Sequence, residues 1–184
     1  MDQIKGSIFQ MIVRSIKANH NKVGEYESIL SDKAKEFLNK RILSGSWYPL
    51  EVYRELYDTL CFIEAKNNPK ILHQWGVVEA QRSLSTIYRS LVVKGDLKRA
   101  IEKYKRFHSM VYTFGDVLPK IISNNEIIVT YKDTPRDWEN WYQMITGFVT
   151  KFFELCFDKE VNYTFLSKSW NGGDWTEIRY SWAS

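Results

Sequence analysis

The chain has 184 residues and a formal net charge of +4, and its 44% hydrophobic and 26% charged content is that of a folded domain rather than a disordered segment. Lysine and arginine are interspersed with acidic residues, so the basic tract that would indicate nucleic-acid binding is missing. No run approaches the roughly 18 apolar residues of a membrane span, and Met1–Gly6 lacks the apolar core of a signal peptide. We therefore expect a cytoplasmic protein without a transmembrane segment.

The first 115 residues have the apolar spacing of amphipathic helices. The predicted helical stretches are 8–16, 29–42, 52–63, 71–91 and 100–112. The stretch 29–42 fits two short helices or one kinked helix, because Ser31 or Asp32 can cap a new start. Trp47-Tyr48-Pro49-Leu50 predicts a helix start with proline in the first turn, and a break is expected near Trp75-Gly76.

The last third of the chain predicts two strand pairs with one helix between them. Residues 117–122 and 126–132 form the first predicted hairpin, and Pro119 indicates that its first strand starts late or lies at a sheet edge. A wide apolar stripe over 138–156 predicts a helix, and alternating residues on both sides of Asn171-Gly172-Gly173-Asp174 predict the second hairpin. The fold class is therefore α+β, with a helical layer over 1–115 and a ββαββ antiparallel sheet unit over 116–184 in one domain, 1–184.

Motifs for catalysis are missing from the sequence. No nucleophile elbow, phosphate-binding glycine loop or zinc-protease motif is present, so we expect a protein that is not an enzyme and has no catalytic residues. Cys61 and Cys156 lie within apolar helical stripes far apart in sequence, which favours buried, reduced thiols. His20 and His73 lack partners at metal-ligand spacing and are predicted to be solvated.

His108 lies on the apolar face of the last helix before the sheet. A neutral imidazole in an apolar setting is what a proximal heme ligand requires. The other interpretation is a histidine at the edge of the core that is satisfied by one hydrogen bond.

Tyr131 and Arg136 follow each other near the end of a predicted strand. A tyrosine hydroxyl and a guanidinium at such a place can face one anionic group together. Alternatively, Arg136 pairs with a nearby acid such as Asp133 or Asp137.

The order of elements resembles that of one superfamily, as does Lys5-Gly6 at the start of an apolar first helix. This superfamily unites the heme nitric oxide/oxygen binding (H-NOX) domains, the vinyl-reductase-like small-molecule-binding domains and subunits of the vesicle-tethering transport particle. Trp47-Tyr48-Pro49-Leu50 and Tyr112-Thr113-Phe114-Gly115 further resemble the signatures of an uncharacterised bacterial family with many paralogues in myxobacteria. The resemblance covers nearly the whole chain and implies an H-NOX-like fold.

The resemblance also bears on cofactors. In H-NOX domains a histidine on a helix before the sheet ligates heme iron, and His108 occupies a similar place. Their Tyr-x-Ser-x-Arg motif binds the heme propionates, and the corresponding stretch here runs from Tyr131 to Arg136. Asp133 stands in the place of the serine, and Arg136 lies one residue too far along, so the anion clamp is not reproduced. We therefore expect no cofactor on this scaffold, and a metal at His108 only if heme binds.

Three functions follow from the resemblance. The first is a non-enzymatic sensor or ligand-binding domain with an apolar pocket for a small hydrophobic ligand, which signals through a partner protein. Its predicted lining residues are Phe107, His108, Val111, Trp141, Ile145 and Phe148. The second is a protein–protein interaction module with a filled core, which could form a homodimer. The third is a heme-based gas sensor that binds iron through His108.

Overall fold

The computed structural model describes residues 1–183, apart from the side chain of His20, so the prediction for that histidine lies outside the described side chains. The chain folds into two compact units. The first unit contains Met1–Asn68 and Ser109–Phe114, and the second contains Pro69–His108 and the chain from Gly115 onward.

Helices and a small antiparallel sheet form the first unit. Its elements are β1 (Gln3–Lys5), α1 (Gly6–Ala18), α2 (Val23–Ile29), α3 (Asp32–Asn39), β2 (Trp47–Pro49) and α4 (Leu50–Leu60). The Ser31 hydroxyl accepts a hydrogen bond from the amide of Ala34 and caps α3. The predicted new start at Ser31 is confirmed, but α3 alone lies within the predicted stretch 29–42, and α2 before it was not predicted. After α4 the chain continues through a π-helical turn at Cys61–Ala65.

The segment Trp47–Pro49 is a strand, although the sequence predicted only a helix start there. It pairs antiparallel with Gln3–Lys5 and places Tyr48 opposite Ile4. The Tyr48 hydroxyl also accepts a hydrogen bond from the amide of Leu43 at 2.7 Å. Strands of three residues are too short to show an alternating pattern, which is why periodicity missed this pair.

The second unit contains the predicted sheet. Its elements are α5 (Pro69–Ser85), the part of α6 (Leu97–Val111) up to His108, β3 (Asp116–Ser123), β4 (Glu126–Lys132), α7 (Glu139–Phe157), β5 (Val161–Ser167) and β6 (Thr176–Trp182). Helix α5 is continuous through Trp75 and Gly76, so the break predicted there is wrong. No helix in the described part of the chain is both long and apolar enough to cross a membrane.

The four strands β3 to β6 form one antiparallel sheet in the order β3-β4-β6-β5. This arrangement confirms the predicted ββαββ unit and the α+β fold class. Pro119 lies in β3 at the edge of the sheet, as expected for a residue without an amide donor. Alternate residues of β4 and β6 are buried, and α7 packs on that face with Phe153 against Tyr180 at 6.1 Å between ring centroids.

Two glycines set the distance between α5 and α7. A Cβ atom at Gly76 would overlap the backbone of Met144, and one at Gly147 would overlap the backbone of His73. The two helix backbones are therefore in direct contact, and neither position can accept a side chain without moving a helix.

Candidate functional site

Five of the six predicted pocket residues lie in the second unit, on α6 and α7. Phe107 and His108 are buried on α6, and Trp141, Ile145 and Phe148 are buried on α7 at a spacing of four and three residues, which puts them on one helix face. The ring of Phe107 stacks on that of Phe148, with centroids 5.1 Å apart and planes 4° from parallel. The folded chain thus brings the α6 and α7 members of this set together.

The buried imidazole of His108 is the one side chain of this predicted set that can ligate a metal. Its side chain is 5% exposed, and its ring meets the indole of Trp141 nearly edge-on, with centroids 6.5 Å apart. The described residues contain no group of three or more histidine, cysteine or acidic side chains that could hold a metal ion. A single imidazole can nevertheless ligate a metal that is already held within another group, such as the iron of heme.

His73 has a different environment and was predicted incorrectly as solvated. It is half-buried, its Nδ1 lies 2.8 Å from the hydroxyl of Thr146, and its ring stacks on Tyr163 with centroids 4.7 Å apart. Burial lowers the pKa of His73, although the nearby carboxylate of Glu154 acts in the opposite direction. His73 is therefore tied to β5 and α7 rather than free to serve as a ligand.

Aromatic rings pack against one another around the predicted pocket residues. The ring of Phe107 contacts Tyr88 edge-on at 5.0 Å, and Trp141 stacks on Trp138 at 5.8 Å. Val111, the sixth predicted lining residue, is buried but belongs to the first unit. These contacts do not test whether an apolar ligand pocket exists here, so the pocket stays a prediction.

An open cleft of about 750 Å³ lies elsewhere in the second unit. It is lined by Lys94, Gly95, Asp96, Leu97, Asn124, Cys156, Phe157, Asp158, Lys159 and Trp182. These residues include the start of α6 and the carboxyl end of α7, and none of them is a predicted lining residue. Lys94 and Asp158 pair with each other across 2.6 Å, so much of the charge in this cleft is compensated internally.

Tyr131 points into the interior of the second unit. Its hydroxyl lies 2.6 Å from the hydroxyl of Tyr104 on α6, and its ring meets Trp141 and Tyr142 edge-on, each at 6.0 Å. Burial raises the pKa of Tyr131 well above its ordinary value, so the phenol is neutral at physiological pH. The hydroxyl predicted to face an anion is hydrogen-bonded to another tyrosine.

Arg136 lies at the surface and has other partners. Its guanidinium donates a hydrogen bond to the carbonyl of Gly173 at 2.8 Å and lies 3.7 Å from the carboxylate of Asp174. The Arg136 carbonyl in turn accepts a hydrogen bond from the Ser169 hydroxyl at 2.8 Å. These contacts join the loop after β4 to the loop between β5 and β6, and they direct Arg136 and Tyr131 to different partners.

Tyr104, the partner of Tyr131, was not predicted from the sequence. A weak signal was available, because Tyr104 precedes His108 by four residues and so shares its helix face. Tyr131 also follows the buried residues Ile127 and Val129 at a spacing of two residues along β4, which predicts that its side chain points inward as theirs do. The pairing itself connects α6 to β4, and no local pattern encodes such a contact.

No protein-family model matches this chain, and no curated protein matches it. Solved structures do match. An Fe(II) unliganded H-NOX protein mutant from K. algicida has 11% identity and a TM-score of 0.64, with 98% of this chain and 97% of that chain covered. An H-NOX protein from S. oneidensis in the Fe(II)NO ligation state has 13% identity and a TM-score of 0.62, with 98% and 100% covered. A third structure concerns the modulation of heme redox potential through protein-induced porphyrin distortion. It has 13% identity and a TM-score of 0.66, with 98% of this chain and 96% of that chain covered.

These matches show that the chain has the H-NOX fold over nearly its full length. They confirm the fold that the resemblance to H-NOX domains implied, whereas the vinyl-reductase-like, transport-particle and myxobacterial resemblances stay predictions. They also correct the expectation that no cofactor belongs to this scaffold. That expectation is wrong, because the solved proteins that share the scaffold are described with iron or heme.

Proposed function

We propose that this chain is a non-enzymatic sensor domain that binds heme through the imidazole of His108. The observation that carries the proposal is the buried His108 ring beside Trp141, within a fold shared with H-NOX structures over 98% of the chain. A sensor needs a bound group whose occupancy changes the protein, and a partner protein that reads the change.

His108 is the side chain that would ligate the heme iron in this proposal, and aromatic side chains surround it. The packing of aromatic rings around this imidazole restricts its orientation. Trp141 contacts the imidazole directly, and the stacked pair of Phe107 and Phe148 lies on the same two helices. When bound, heme supplies an iron position for a small gas such as the nitric oxide of the S. oneidensis structure.

A hemin titration of the purified protein tests the proposal. We expect wild type to develop a Soret band at one hemin per chain and His108→Ala to lose it. His108→Gly with added imidazole should regain the band, because free imidazole can replace the missing side chain. His73→Ala is the matched control, since His73 is a half-buried histidine of the same unit that we do not assign to heme, and it should bind as wild type does. Equal binding by wild type and His108→Ala would refute ligation by His108.

A protein–protein interaction module is the second candidate. It is favoured by the ring contacts of Phe107 with Phe148 and Tyr88, through which the chain's own side chains fill space at the predicted pocket. A wild-type protein that binds no hemin and sediments as a dimer would support this candidate over the sensor. Native mass spectrometry of protein from cells supplied with a heme precursor reports bound mass and subunit number in one measurement.

A further inference from the structure

We infer that the open cleft beside the start of α6 and the carboxyl end of α7 binds a small aromatic zwitterion, such as a free aromatic amino acid. The cleft has a volume of about 750 Å³, which is in the range of small-molecule sites. Its lining residues include neither His108 nor another predicted pocket residue. The inference therefore goes beyond the proposed function and does not depend on heme.

An aromatic surface forms the apolar part of the cleft. The rings of Phe157 and Trp182 both line it and stack on each other, with centroids 4.8 Å apart and planes 9° from parallel. The buried ring of Phe153 packs behind this pair, with its centroid 5.8 Å from that of Trp182. Trp182 is buried, whereas Phe157 at the end of α7 is half-buried and keeps part of its ring accessible. A flat ligand ring can therefore pack against Phe157.

The charged side chains that line the cleft are equal in number for the two signs. Lys94 and Lys159 are the cations, and Asp96 and Asp158 are the anions. A ligand with a single charge would meet an attracting and a repelling group together. A zwitterion, whose two charges lie apart, finds an attracting group for each of them.

The pair of Lys94 with Asp158 provides a partner for both ends of such a ligand. The Lys94 ammonium nitrogen lies 2.6 and 2.8 Å from the two carboxylate oxygens, but the two side chains are 61% and 76% exposed. An ion pair this exposed contributes little free energy, so a ligand can open it at small cost. A ligand carboxylate then binds Lys94 and a ligand ammonium group binds Asp158. One exposed ion pair is thereby replaced by two charge-assisted contacts beside an aromatic surface.

Other groups at the same place have further capacity for hydrogen bonds. Lys159 donates to the carbonyl of Ala183 at 2.8 Å, and an ammonium group has three protons to donate. The amide of Leu97, in the first turn of α6, has no partner within the helix. Asp96 accepts the amide of Arg99 through one carboxylate oxygen, and a carboxylate has a second oxygen to offer. The cleft thus offers additional donors to a carboxylate and an additional acceptor to an ammonium group.

The two segments that carry these charges are fixed relative to each other. The amide of Gly95 donates a hydrogen bond to the carbonyl of Cys156 at 3.0 Å, which joins the chain before α6 to the end of α7. Asp158 has a φ of 54°, and its amide donates to the carbonyl of Glu154 at 2.8 Å. The binding groups are therefore ordered before a ligand arrives, which lowers the entropy lost on binding.

The first test titrates L-phenylalanine and three analogues into wild type, with binding followed by calorimetry or by NMR. Phenethylamine lacks the carboxylate, hydrocinnamate lacks the ammonium group and L-alanine lacks the ring. We expect L-phenylalanine to bind with a dissociation constant of about 0.1–1 mM and each analogue to bind about tenfold more weakly or worse. Absence of L-phenylalanine binding at about 10 mM, or equal binding of any analogue, would overturn the inference.

The second test assigns the two ends of the ligand with charge variants. Lys94→Gln should weaken L-phenylalanine about tenfold but should bind phenethylamine no more weakly than wild type does, because that analogue has no carboxylate. Asp158→Asn should also weaken L-phenylalanine about tenfold but should bind hydrocinnamate no more weakly, because that analogue has no ammonium group. Asparagine tolerates the positive φ at this position, so the turn is kept.

Lys105→Gln is the matched control, because Lys105 is an exposed lysine of α6 that is not among the residues lining the cleft. It should bind L-phenylalanine as wild type does. Unchanged L-phenylalanine binding in both cleft variants would place the ligand elsewhere and refute the inference. A protein that binds hemin but not L-phenylalanine refutes this inference alone, and the reverse result refutes the proposed function alone.

Discussion

The hydroxyl groups of Tyr104 and Tyr131 lie 2.6 Å apart and link helix α6 to strand β4 in the interior of the second unit. Tyr104 is 3% exposed and Tyr131 is fully buried, so water does not replace this hydrogen bond. The link determines which way Tyr131 points, and it fixes α6 near the residue that we assign to heme ligation. A tyrosine that looks in the sequence like part of an anion site is thereby part of the core.

Removal of either hydroxyl should destabilise the protein. We expect Tyr104→Phe and Tyr131→Phe each to lower the free energy of unfolding by about 1–2 kcal/mol, because each leaves a buried hydroxyl without this partner. The double variant should lose less than the sum, since the second substitution removes the stranded group. Urea denaturation of the four proteins measures the coupling. Tyr163→Phe, at a half-buried tyrosine, is the control and should change stability by less than about 0.5 kcal/mol. Additive losses in the double variant would mean that the two hydroxyls do not interact.

The close contact of α5 with α7 leads to a second prediction, which concerns stability. Gly76→Ala and Gly147→Ala each place a Cβ atom inside the backbone of the other helix, so each should lower the free energy of unfolding by about 3 kcal/mol. Gly24→Ala in α2 is the matched control, because a Cβ atom there meets nothing within 4 Å. It should raise stability by about 0.5–1 kcal/mol through the helix propensity of alanine. Thermal melts of the three variants separate these outcomes, and an unchanged melting temperature for Gly147→Ala would disprove the close helix contact.

The hairpins and the fold class could be predicted from the sequence because their signals are local. Alternating residues around the Asn171-Gly172-Gly173-Asp174 turn define β5 and β6, and the long apolar stripe defines α7. The pair of β1 and β2 could not be predicted, since each strand has three residues and their pairing joins positions more than forty residues apart. The inward direction of the Tyr131 side chain could be predicted in part, because Tyr131 lies two residues after the buried Val129 on β4 and so faces the same side of the sheet. The partner of Tyr131 and the partners of Arg136 come from distant segments of the chain and could not be predicted from the sequence.

The two cysteines should react in a fixed order. Burial raises the pKa of Cys61 to about 12 and also raises that of Cys156, and thiols react as thiolates. We expect neither to react with a thiol reagent at pH 8 within minutes in the folded protein, and both to react at once in denaturant. Over hours Cys156 should be labelled first, because it borders the cleft at the end of α7 whereas Cys61 does not. Peptide mass spectrometry after timed labelling reports the order. Immediate labelling of both thiols in the native state would contradict their burial.

His73 should make stability depend on pH. Burial holds its pKa in the folded state below the ordinary value of 6.5, so the unfolded chain binds more protons between these two values. The neutral ring therefore contributes stability that is fully present above about pH 6.5 and is lost as the pH falls through the lower, folded-state pKa. His73→Gln removes the titrating group and keeps a side chain that can form hydrogen bonds. We expect the free energy of unfolding of wild type to fall more steeply than that of His73→Gln between about pH 7 and pH 5. Urea midpoints measured at several pH values give both slopes, and His108 is present in both proteins, so its contribution cancels. If the slopes coincide, burial does not lower the pKa of His73 in solution.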